Sequence, residues 1–181
     1  MKDFIDSAWL TCLQHTSRNP LTILRDLMAL PLCHMHGPEH HTLVGSALLT
    51  AYKNSGGEID LPSALEELHA RAQKVPGGAC GYWGACGAAI SSGMFVSIVT
   101  GSTPLGGREW GLCNQMTAAS LHAIGSIDGP RCCKRNSTLA ILQAAQFSKE
   151  HLGIEMDITP VTCIHFDQNS QCIGARCPFH P

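Results

Sequence analysis

Between Gly84 and Thr100 the chain reads Gly-Ala-Cys-Gly-Ala-Ala-Ile-Ser-Ser-Gly-Met-Phe-Val-Ser-Ile-Val-Thr, small or apolar throughout and without a charged side chain. Such a segment gains nothing from water and belongs inside the fold. Met94 to Val99 alone would also suit a strand. The length of the run and its Gly, Ala and Ser content favour a central helix with neighbours close on every side. Small side chains let those neighbours approach, so this segment points to helices packed round a helix.

The neighbours are legible as apolar stripes and stop signals. Residues 2–16 carry Phe4, Ile5, Ala8, Trp9, Cys12 and Leu13 on one face. Pro20 opens a second helix through Leu21, Leu24, Leu27 and Met28 to Leu30, before Pro31. Residues 41–53 read as a buried helix ended by Asn54 and Gly56-Gly57. Pro62-Ser63 begins a fourth, with Leu65, Leu68 and Ala72 inward and Glu66, Glu67, Arg71 and Lys74 outward, stopped by Pro76-Gly77-Gly78. Further helices are expected near 109–124 and 134–152. Only 154–162 alternates like a strand, and Pro160 would hold it at an edge. The fold expected is mainly α: a single domain over 1–181, with a working core over 33–150 and an irregular Cys-rich tail over 163–181.

With 44% hydrophobic and 14% charged residues, the chain can bury enough surface to order itself. A net charge of -2 without a basic run disfavours a nucleic-acid partner held through phosphates. No apolar run is long enough to span a membrane. Met1-Lys2-Asp3-Phe4-Ile5-Asp6 lacks the pattern of an export signal, so a cytoplasmic location is expected. In that compartment the 10 cysteines and 10 histidines point to metal, cluster or thiol chemistry rather than disulfides.

Four constellations concentrate those residues. Cys33-His34-Met35-His36-Gly37-Pro38-Glu39-His40-His41 precedes the third helix; its imidazoles suit metal ligation or, kept neutral at a helix start, base catalysis. Cys80-Gly81-Tyr82-Trp83-Gly84-Ala85-Cys86-Gly87 enters the central helix, with Gly81 and Gly84 letting the backbone close round a cofactor beside Cys80 and Cys86. Arg131-Cys132-Cys133-Lys134-Arg135-Asn136-Ser137 sets three cations at the positive end of a helix dipole, a conflict that argues for an anion there. Cys163-x8-Cys172-x4-Cys177, with His165 and His180, lacks the spacing of a zinc finger. Cys113 stands apart, and Cys12 falls on a core stripe as a buried thiol.

Three stretches together carry a resemblance: Gly37-Pro38-Glu39-His40-His41-Thr42-Leu43, Ala79 through Ala89, and Arg131 through Ser137 running on to Ala140, Ala144 and Ala145. In chain order they resemble the catalytic α domain of the iron–sulfur L-serine dehydratases and L-cysteine desulfidases. The whole chain also resembles an uncharacterised Cys/His-rich family of anaerobic bacteria and methanogens. The dehydratase resemblance implies a [4Fe–4S] cluster held by three cysteines with one iron open. Cys80 and Cys132 would be two ligands. Where the family has its other cluster cysteine this chain has Leu121-His122, so Cys113, Cys133, Cys172, Cys177 or His122 would complete the set. Gly81 and Trp83 replace the Gln and Glu of the family, a departure that bears on serine as substrate.

The chemistry expected is β-elimination, desulfuration or dehydration, from a small carboxylate or amino-acid-like substrate. His40 or His41 would serve as base, and Arg135 with Asn136 would anchor the carboxylate. The alternatives are a zinc-binding structural or hydrolytic module, a metal-free thiol relay, and an electron-transfer cluster protein without its own catalysis. A homodimer or a partner subunit would supply whatever the site lacks.

Overall fold

The computed structural model describes residues 2–181; Met1, the first residue of the stretch read as lacking an export signal, lies outside them. Eight α-helices form among the described residues: α1 (Lys2–Gln14), α2 (Pro20–Met28), α3 (His40–Asn54), α4 (Leu61–Ala72), α5 (Ala79–Tyr82), α6 (Gly87–Val99), α7 (Arg108–Gly125) and α8 (Cys133–Phe147). A π-helical turn, Ser148–Leu152, extends α8, and a 3-10 turn, Gly174–Arg176, interrupts an otherwise irregular tail.

Local chemistry starts these helices. The Asn19 side chain accepts from the Leu21 and Thr22 amides, with Pro20 at the first position of α2. Asp60 accepts from Ser63 N at 3.0 Å and caps α4. At α8 a sulfur takes the place of the usual cap oxygen: Cys132 Sγ accepts from Arg135 N at 3.5 Å.

The charge-free segment is central, as its composition implied. α6 packs against α3, α4, α7 and α8. Polar atoms at these contacts satisfy one another: Gly45 N donates to Ser91 Oγ at 2.9 Å, and Ser92 Oγ lies 2.8 Å from Ser120 Oγ. A Cβ at Gly93 would fall 3.0 Å from the Cys113 carbonyl and against Thr117 Oγ1, so α6 and α7 meet there almost backbone to backbone. Phe95 is fully buried on α6 and meets Tyr52 of α3 edge-on, ring centres 5.6 Å apart. One continuous apolar cluster runs from Phe4 on α1 to Met156 beyond α8, making a single helical domain.

Two boundaries differ from the sequence expectation. The helix expected from Gly84 begins at Gly87, because Gly84 turns through φ +66 after α5 and Cys86 is extended. No strand forms over 154–162 among the described residues. That segment lies along the α1–α2 connection, where Asp157 N donates to Arg18 O at 3.1 Å and Asn19 Nδ2 to Thr159 Oγ1 at 2.9 Å. Alternation describes half-burial there, but no second strand stands beside it to pair with. No described helix is long and apolar enough to cross a membrane.

Candidate four-cysteine site at the start of helix α8

Lys134 and Arg135 are each only 5% exposed, in the first turn of α8. Among the described residues no carboxylate pairs with either, nor with Arg131 one turn before. Lys134 Nζ donates to Cys33 Sγ at 3.4 Å. Arg135 uses Nε on Asn136 Oδ1 at 3.4 Å and Nη2 on the Pro130 carbonyl at 3.1 Å, both neutral acceptors. Two desolvated cations at the positive end of a helix are costly, on the order of several kcal/mol per ion, unless an anion faces them. Lys134 meets a sulfur, and both cations line a cavity that holds four more.

Cys132, Cys163, Cys172 and Cys177 line one cavity with Lys134, Arg135, His165 and Asn169, walled by α2 and the tail. Three of these sulfurs accept backbone N–H bonds: Cys132 from Arg135 at 3.5 Å, Cys163 from His165 at 3.4 Å and Cys172 from Gly174 at 3.4 Å. Asn169 Nδ2 adds a second donor to Cys132 at 3.6 Å. Burial pushes the Cys163 thiol up, and the three other sulfurs act on it in the same direction, while the His165 amide works against them. The four thiols surround a space rather than touch. Among the described residues no three Cys, His, Asp or Glu side chains stand close enough to hold a metal ion. A tetrahedral zinc, with Zn–S bonds of about 2.3 Å, would need sulfurs about 3.8 Å apart. Four soft sulfur donors and two buried cations thus line one cavity.

A second cavity opens on the other side of the α8 start. Cys80, Gly81, Gly84, Cys86, Arg131, Arg135 and Asn136 line it, and no Asp or Glu does. Asn136 Nδ2 donates to Cys86 Sγ at 3.5 Å. Cys133 lies between the groups, its thiol pushed up by burial and also by the neighbouring Cys86 and Cys132. Arg135 lines both cavities.

The histidine loop braces the tail. His36 Nδ1 accepts from Cys133 N at 3.4 Å, and its Nε2 donates to Asn169 Oδ1 at 3.1 Å. Asn169 passes the connection on to Cys132. His40 is 1% exposed; burial, then the nearby Lys134 charge, pushes it down to about 3. Its Nδ1 donates to the Gly37 carbonyl at 3.1 Å, which leaves Nε2 as a buried lone pair without a partner among the described residues. Burial also lowers His41, whose ring lies against Gly87.

The sequence candidates therefore divide. Cys132, Cys172 and Cys177 share one cavity; Cys80, Cys86, Gly81, Gly84 and Asn136 share the other; Arg135 belongs to both. His40 and His41 line neither. Cys113 lines neither as well: its Sγ bonds the Trp110 carbonyl at 3.2 Å and lies 3.6 Å from Ser102 Oγ. His122 is exposed on α7. Cys163, His165, Lys134 and Asn169 complete the four-thiol cavity. The first two were legible as metal-ligand types in the tail and Lys134 as a misplaced cation, whereas nothing in the sequence singled out Asn169. Cys12 is wholly buried, and burial pushes its thiol up to about 11, as a core position would.

No curated protein and no solved structure matches the chain. The profile of one family, described as a family of unknown function (DUF5714), matches residues 10–180, nearly the whole length and all of both cavities. The chain belongs to that family.

Proposed function

We propose that the chain is an iron–sulfur-dependent lyase whose cluster rides on Cys132, Cys163, Cys172 and Cys177, and which acts by β-elimination on a small carboxylate. The observation that carries this reading is the pair of buried, carboxylate-free cations, Lys134 and Arg135, beside four thiols of which three accept backbone N–H bonds. A bound cluster supplies a Lewis-acidic iron that stabilises a departing hydroxide or hydrosulfide. Cys172 is the exposed member of the set and so the ligand most easily displaced. Arg135, the residue that lines both cavities, holds the substrate carboxylate through its fork of donors, so that the substrate reaches from Asn136 in the second cavity toward the thiols of the first. The base is His165 rather than His40 or His41: it lines the thiol cavity, and burial followed by the Lys134 charge lowers it, leaving a neutral imidazole at pH 7.

Anaerobically purified protein is expected to be brown, with iron and acid-labile sulfide in equal amounts. Cys132→Ala should lose the colour. Cys80→Ala should keep it, because Cys80 lines the other cavity. Zinc without sulfide would overturn the reading. The completeness of the four-thiol set favours a second one, a closed structural or electron-transfer centre. An unchanged cluster spectrum on adding hydroxy- or thiol-bearing carboxylates would select it.

A further inference from the structure

We infer that the cavity of Cys80, Cys86, Arg131, Arg135 and Asn136 takes a small molecule of the dicarboxylate class, with two negative charges and no ammonium group. The inference rests on reading this cavity as the substrate pocket and names what enters it. Amino-acid substrates carry an α-ammonium that needs an anion or several free acceptors, and no Asp or Glu lines this space. Positive charge is in surplus instead. Arg131 is exposed and has no hydrogen bond or ion pair among the described residues. Arg135 is buried, and its Nη1 donors have no protein acceptor among those residues. α6, 13 residues long, starts at Gly87 directly after Cys86, which lines this cavity, and adds its positive end. Two guanidinium forks match two carboxylates, each held by paired N–H bonds. A lone carboxylate would leave one arginine unanswered; a zwitterion would bring a third positive charge among them.

The test is titration calorimetry at low salt on the protein as purified, with succinate, L-serine and L-cysteine as probes. Succinate is expected to bind at least tenfold more tightly than either amino acid. Arg131→Gln, an exposed substitution that leaves the core intact, should weaken succinate at least tenfold. The same titration on Cys132→Ala separates the two ideas: succinate binding that persists there, still sensitive to Arg131, upholds the inference whether or not the metal centre exists. Amino acids binding as tightly as succinate, no effect of Arg131→Gln, or no binding of any probe would each overturn it.

Discussion

Gly87 is fixed as glycine by a ring rather than by a turn: the His41 imidazole occupies the place its Cβ would take. Gly87→Ala should therefore cost about 1–3 kcal/mol through forced repacking, whereas Gly81→Ala, facing open space, should stay within about 0.5 kcal/mol of the parent. Urea titration of the two variants side by side checks both. His40 makes a second prediction at this scale. Folded, it protonates only near pH 3, while the unfolded chain takes that proton near 6.5. Between those values the unfolded state binds more protons, so stability falls as pH drops through the window, by at most about 1.4 kcal/mol per pH unit from this group. His36, His41, His69 and His165 are also lowered and act in the same direction. His40→Gln should give a shallower slope of unfolding free energy against pH between 6.5 and 4, whatever its stability at pH 7; an unchanged slope would contradict the assignment.

At the scale of elements, α6 shows what the sequence could say. The absence of charge from 84–100 marked the central helix, and small residues marked its close contacts with α3 and α7, where Gly93 meets the Cys113 carbonyl. Gly93→Ala should separate α6 from α7 and lower the melting temperature by several degrees, consistent with about 1–3 kcal/mol of overpacking. Prolines located the starts of α2 and α4, and the structure adds caps that are equally local: Asn19 and Asp60 bond amides within three residues of themselves. The tail was legible only as composition. Its position depends on Asn169, which reaches Cys132 and His36 across 37 and 133 residues of chain, a pairing that no local pattern encodes. Asn169→Ala should speed hydrogen exchange across 163–181 while leaving α3 and α6 unchanged, since one buried polar brace is worth about 1–3 kcal/mol when a partner is lost. Equal acceleration in both regions would mean that Asn169 supports the whole fold instead.

For the whole molecule, the core is built by the helices, and beyond the π-helical turn only Met156 and Asn169 are buried. Removing residues 160–181 should leave the helical circular dichroism and a cooperative transition, at lower stability because Leu21, Leu24 and Met28 lose their cover. Any metal held by the four thiols should be lost altogether. Helices and core were readable from the sequence because burial and periodicity are properties of adjacent residues. The division of the thiols into two cavities was not, because it depends on where the tail comes to rest.

Three of the four sulfurs of the larger cavity lie in that tail, and the fourth stands at the head of a helix already packed in the core. Ribosomes deliver residues 163–181 only after α1 to α8 have been synthesised. Whatever inserts a cofactor there must therefore wait until Cys163, Cys172 and Cys177 have joined the packed helices, and a loaded centre would certify that they had.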